Sequence, residues 1–179
     1  MSSSKILIGC LSLLLLAACN KEVDELPPPT ETGSNTFGAT IDGQFWVPAK
    51  FGILPADDLL QARYNSPGSI LIKAKNFASS PSESEFEIQV VGVTGTGTYL
   101  LNTDVSRPSA HSYAYFVKRR FTPINEWQTS ATHTGSVTIT KLDSVNKIVA
   151  GTFQFSALDI YHGTVPLTVT DGRFDIKMQ

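Results

Sequence analysis

Cysteine is almost missing from this 179-residue chain: Cys10 and Cys19 are the only two, both within the first nineteen positions. From Asn20 onward no thiol is available for a disulfide, a thiolate nucleophile, a cysteine-ligated zinc or an iron–sulfur cluster. Stability must therefore come from a hydrophobic core. Histidine is scarce as well, and His111, His133 and His162 lack the i, i+2 strand spacing or i, i+4 helix spacing of metal ligands. Neither a metal nor another cofactor is expected. No Gly-x-Ser-x-Gly elbow occurs. Gly95-Thr96-Gly97 lacks the third glycine of a dinucleotide loop and runs on into Tyr99-Leu100-Leu101. Asp42-Gly43 and Asp171-Gly172 lie outside any Asp-x-Asp-x-Asp calcium loop and read as turns. No residue is assigned a catalytic role.

Net charge is also lacking where it would matter. Residues 19–35 carry Glu22, Asp24, Glu25 and Glu31 against Lys21, whereas from Thr36 onward twelve Lys or Arg balance twelve Asp or Glu. A neutral domain has no long-range field to gather phosphates, so nucleic acid is not an expected partner. Lys118-Arg119-Arg120, the one basic run, reads as a solvated strand end. Glu83, Glu85 and Glu87 alternate with Ser84, Phe86 and Ile88, which places them on the solvent side of a strand, without burial to shift their titration.

A long hydrophobic run is missing too. The apolar stretch Ile6 to Ala18 has thirteen residues, short of the ~20 of a spanning helix. What is there instead is the order of an export signal: a basic start ending at Lys5, the apolar run, and the small pair Ala17-Ala18. Leu16-Ala17-Ala18-Cys19 resembles the lipobox of bacterial lipoproteins. That resemblance implies cleavage before Cys19, diacylglycerol on its thiol, and acylation (palmitate-type) of the new amino terminus. Two or more chains give stable anchoring, at ~0.8 kcal/mol per buried CH₂.

Residues 1–18 are thus expected as a signal peptide, 19–35 as a lipidated cysteine with a flexible acidic, proline-containing tether, and 36–179 as a single domain. Pro27-Pro28-Pro29 favours extended polyproline II. Fully stretched, such a tether reaches on the order of 50 Å. Lys21 to Glu25 resembles the export signal of Bacteroidota lipoproteins. This implies an outer-membrane location, facing the cell surface or, as the alternative, the periplasm.

Beyond Thr36 the pattern has period two. Phe37–Ile41 and Gln44–Pro48 flank Asp42-Gly43, whose pairing suits a type I′ hairpin. Ser69–Lys75, Glu85–Val93, Thr98–Leu101, His111–Lys118, Gly135–Lys141, Lys147–Ala157, Val165–Val169 and Arg173–Lys177 read as further strands, with Phe86, Ile88 and Val90 inward. Leu54–Ala62 reads as the one helix candidate, with a strand as the alternative. About nine strands without βαβ alternation predict an all-β antiparallel sandwich or flattened barrel.

The candidate ligand-binding residues are Tyr113, Tyr115, Arg119 and Trp127. On one strand His111, Tyr113, Tyr115, Val117 and Arg119 share a face, and tyrosines ~7 Å apart beside a guanidinium can stack on sugar rings. The competing reading packs both rings inward with their hydroxyls at the rim.

The domain is similar to a family of uncharacterised Bacteroidota lipoproteins. The resemblance is carried by Asn35 to Trp46, Gly135 to Asp143, Gly151-Thr152-Phe153-Gln154-Phe155-Ser156-Ala157 and the closing Thr170-Asp171-Gly172-Arg173-Phe174-Asp175. It implies location and fold class and no catalytic residue. Asp42-Gly43-x-Phe45 and Asp171-Gly172-x-Phe174 echo each other, as turns that each feed an aromatic into the core. The function expected is a membrane-anchored, non-enzymatic binding or structural module of the cell envelope, with a glycan or an envelope protein as partner. The alternatives are a glycan-binding module of a polysaccharide-uptake system and an envelope hydrolase.

Overall fold

The computed structural model describes residues 23–51, 59–65 and 68–179. The signal segment and Cys19 lie outside these, as does most of the helix candidate; its last residues, Leu60 to Ala62, are strand.

The described chain is all-β, with strands β1 (Thr36–Ile41), β2 (Gln44–Trp46), β3 (Leu60–Asn65), β4 (Ser69–Asn76), β5 (Ser82–Val91), β6 (Gly97–Leu101), β7 (Tyr113–Arg120), β8 (Thr122–Gln128), β9 (Gly135–Asp143), β10 (Ile148–Asp159) and β11 (Leu167–Lys177). The strand ladders are antiparallel. A front layer runs β2-β1-β11-β10-β9-β6 and a back layer β3-β4-β5-β7-β8. They are one sheet, continuous where the far end of β10 pairs with β8 through Leu158 and Gln128. The sheet folds onto itself as a sandwich and does not close into a barrel. Its free margins meet in single contacts, the parallel bridge of Ala49 with Asn76 and the bond donated by Gln179 N–H to the Ala62 carbonyl, 3.0 Å.

Local chemistry explains most elements. Asp42 (φ 47°) and Gly43 (φ 85°) both take the positive φ of a type I′ turn, which sets β1 against β2. β8 goes beyond the expected strands, because Pro123 and the weak alternation of Thr122–Gln128 hide it. β11 is one strand where two are expected. Asp171-Gly172 is a bulge inside it: β11 has two residues between Gly172 and Val169 where β10 has only Gln154 between Phe153 and Phe155. Asp171 takes φ 52° there, a conformation Asp tolerates.

Between the layers lies an aromatic core. Phe86 of β5, fully buried, is its hub, with ring centroids 4.7 Å from Trp46, 4.7 Å from Phe116 and 5.5 Å from Phe37. These tilted and edge-on pairs each add roughly 0.5–1.5 kcal/mol beyond area burial. The echo of the two Asp-Gly motifs holds for Phe174, which is buried, and fails for Phe45, which is 47% exposed. In the β1–β2 hairpin it is Trp46 that enters the core, its indole N–H donating to Ser84 Oγ at 2.9 Å.

A Cβ on Gly172 would sit 2.4 Å from the Phe153 carbonyl oxygen and 2.5 Å from its ring. Gly172→Ala is expected to destabilise the domain by about 1–3 kcal/mol, the usual cost of overpacking, read as a lower urea midpoint with unchanged slope. An unchanged midpoint would show that the bulge relaxes freely.

Candidate functional site

Two places on the outer faces of the sandwich gather polar chemistry. On the back layer, β7 turns Ala114 and Phe116 toward the core and Tyr113, Tyr115, Val117 and Arg119 outward. The outward tyrosines are nevertheless buried, because the β6–β7 connection lies over them with Val105 against the cluster. Gln128 donates to the Val105 carbonyl at 2.7 Å, and the Ala131 N–H to Asp104 at 2.9 Å, which hold that connection down.

Arg107 reaches inward from it. Its guanidinium carbon stands 3.1 Å from the centre of the Tyr115 ring, and its nitrogens meet Glu87 at 3.2 Å and Glu126 at 3.5 Å. The Tyr113 hydroxyl donates to Glu87 at 2.6 Å, that of Tyr115 donates to Glu126, and Lys73 pairs with Glu87 at 2.7 Å. Burial raises the Glu87 pKa, but Lys73, Tyr113 and Arg107 outweigh it and hold the carboxyl below its ordinary range. Burial, reinforced by the facing carboxylates, pushes both phenols above theirs.

The sequence-predicted residues therefore separate. Tyr113 and Tyr115 form no open stacking ledge. Arg119 pairs with Glu83 at 3.4 Å and Glu85 at 3.3 Å. Trp127 lies on the opposite side of the layer, against Phe116 at 5.8 Å. His111 belongs to the covering connection rather than to β7. The glutamates do alternate outward as expected, but Glu85 and Glu87 are not solvated: their side chains are 13% exposed. The loop and the cationic partners that remove them from water are distant in sequence.

The second place is on the front layer. Residues 26–35, expected as flexible tether, are laid across β1, β11 and β10 as a strap. Leu26 and Pro27 cover Gly38, where a Cβ would be 2.8 Å from Pro27 Cδ. Arg173 donates to the Pro27 carbonyl at 3.4 Å, and Lys141 to that of Glu31 at 2.9 Å. Asp175 fastens the far end, accepting from the Thr30 hydroxyl at 2.7 Å and from the N–H groups of Thr32, Gly33 and Ser34 at 2.9, 2.7 and 3.2 Å. Burial raises the Asp175 pKa, and these four donors overcome it to hold the carboxyl below its ordinary range. The sequence signal was present in the buried-strand acid of the closing motif. Its partners were hidden in a segment that reads as linker.

Beside the strap the layer forms a concavity of about 450 Å³, lined by Pro29, Ser136, Thr138, Thr152, Phe153, Gln154, Asp171, Gly172 and Arg173. Its hydroxyl, amide, guanidinium and carboxylate groups come from β9, β10 and β11, the strands that carry three of the segments singled out from the sequence. The edge continues the polar surface, with the Thr98 and Thr138 hydroxyls bonded at 2.9 Å.

A family model described as a domain of unknown function, DUF6252, matches residues 33–175. The chain belongs to the DUF6252 family. The matched stretch opens inside the strap, at Gly33, and closes on the residue that fastens it, Asp175. No curated protein and no solved structure matches this DUF6252 chain.

Two predictions follow from these contacts in DUF6252. Because the folded pKa of Asp175 lies below its unfolded value, the unfolded chain binds more protons as pH falls, so the clasp stabilises above the ordinary carboxylate pKa of ~3.9 and is lost through the lower folded one. Asp175→Asn should lower stability at neutral pH by about 1–3 kcal/mol and flatten the acid limb of urea midpoint against pH; an unaltered limb would remove the clasp from the account. Arg107→Met should cost about 1–3 kcal/mol by leaving the buried Glu126 carboxylate with the Tyr115 hydroxyl but no cation, with Glu126→Gln on that background restoring part of it. Wild-type stability in the single variant would mean that these ion pairs hold nothing.

Proposed function

We propose that this chain is a lipid-anchored lipoprotein of the bacterial outer membrane, a non-enzymatic module that recruits a neutral glycan on the front-layer concavity. The lipobox-like Leu16-Ala17-Ala18-Cys19 supports the anchor, and the resemblance to Bacteroidota lipoproteins supports the location.

The observation that carries the binding reading is the lining of the concavity. Ser136, Thr138, Thr152 and Gln154 offer neutral donors and acceptors side by side, with Asp171 and Arg173 adding one charge of each sign. Sugar hydroxyls both donate and accept, so such a mixed lining of no net charge suits them. The Tyr113 and Tyr115 rings are covered and have no part in it. Among the described residues no contact favours the envelope-hydrolase alternative: Glu87 shares Arg107 with Glu126, and Glu83 shares Arg119 with Glu85.

The test uses membranes from cells expressing the full chain, probed with a panel of labelled neutral polysaccharides that includes those of the envelope. Cys19→Ser should move the protein to the soluble fraction. Thr152→Val with Gln154→Ala should leave it in the membrane and abolish capture of the polysaccharide that the wild type retains. A panel without any ligand, or capture indifferent to the double substitution, would refute the assignment to the concavity.

A further inference from the structure

The strap shortens the tether. From Cys19 to Leu26, where the chain meets Gly38, there are seven residue steps, which span at most ~25 Å, against the on the order of 50 Å that a free tether would allow. A domain of this length has a radius of gyration of ~15 Å. If Cys19 is acylated, the edge where the strap arrives cannot turn away from the lipid, because the domain is wider than the tether is long.

That edge is mainly apolar. Leu26 and Pro27 share a groove of about 460 Å³ with Val47, Pro48 and Leu59, to which Glu25, Asn35 and Thr36 add polar groups. Phe45 of β2 projects beside them, 47% exposed, opposite Thr40 on β1. The chain then passes Ala49, bonded to Lys75 of β4 and to Phe77 just past it, and reaches Phe51, 54% exposed. A soluble face has little reason to hold two half-exposed phenylalanines beside an open apolar groove.

We propose that this edge, with Leu26, Phe45, Val47, Pro48 and Phe51, rests on the surface of the bilayer that holds the Cys19 acyl chains. The inference depends on the lipid-anchoring reading above and adds to it a fixed orientation. Asp24 and Glu25, both exposed, stay in the headgroup water. The seating is apolar and therefore insensitive to salt. The glycan-binding concavity lies past the strap on the same layer, so a ligand reaches it from the side.

The experiment uses the full chain, purified from membranes and placed in vesicles of phosphatidylethanolamine and phosphatidylglycerol. Mass spectrometry first establishes whether Cys19 is acylated; an unmodified Cys19 overturns the anchor and this inference together. With the mature domain otherwise free of thiols, Phe45→Cys, Phe51→Cys and Leu100→Cys each take one fluorophore. Leu100, 60% exposed on β6, is the control, five strand spacings across the layer, roughly 24 Å. Nitroxide lipids should quench the labels at 45 and 51 several-fold more than the label at 100, equally at low and high salt. Equal quenching at all three sites on an acylated protein overturns the orientation alone. Shielding of 45 and 51 that grows with protein concentration and needs no vesicle assigns the edge to a second copy and also overturns it. All three positions are exposed, so matching thermal melts establish that the variants fold.

Discussion

The carboxylate of Asp175 governs more of this molecule than any other polar group. It is almost wholly buried, on a strand in the middle of the front layer. An ionised acid there is tolerable only because five donors from residues 30–34 converge on it, the Thr32 hydroxyl at 3.3 Å being the longest. The dependence runs both ways. Without the strap the acid would be a stranded buried charge, and without the acid the strap would keep only the Leu26 and Pro27 contacts, the Arg173 and Lys141 bonds to its carbonyls and the bond from Lys177 N–H to Asn35. The wall of the concavity at Pro29 lies between the two holds, the packing of Leu26 and Pro27 on Gly38 and the Asp175 clasp on residues 30–34.

The back layer shows the same economy with a different group. Four acids and two tyrosines on an outer strand face would ordinarily be wet. Here Arg107 enters from the β6–β7 connection, stands over the Tyr115 ring and divides its charge between Glu87 and Glu126, while Arg119 meets Glu83 and Glu85, so that every acid has a cation and both rings are covered. The consequence for function is negative in a useful way. The aromatic pair that looks like a binding ledge is a seat for the chain's own loop, and the surface left open is the threonine- and serine-rich front layer.

How much of this could be read from the residues alone depends on the range of the interaction. Period-two alternation placed Phe86, Ile88 and Val90 in the core, and Asp42-Gly43 dictated its hairpin, because both signals are local. The all-β class followed from the same pattern. β8 escaped because Pro123 mimics a break. The bulge at Asp171-Gly172 read as a turn, because the same two residues suit either and only the facing Phe153 distinguishes them. Phe45 was misplaced for a reason of register: adjacent strand residues face opposite ways, and with Trp46 turned into the core Phe45 faces out. The candidate site was the least legible. Asp175 and Thr30 are 145 residues apart, and Glu87 and Arg107 meet across a connection that carries no periodicity, so composition assigned one segment to linker and three glutamates to solvent.

Amide hydrogen exchange at Thr32, Gly33 and Ser34 tests the central claim most directly, compared between the wild type and Asp175→Ala at neutral pH. The account predicts protection of these three amides in the wild type well above random-coil rates, and its loss in the variant while amides of β4, β5 and β10 stay protected. Exchange of the three at random-coil rates in the wild type would contradict it, because residues 30–34 would then be a free tether and Asp175 a buried acid with no strap to hold.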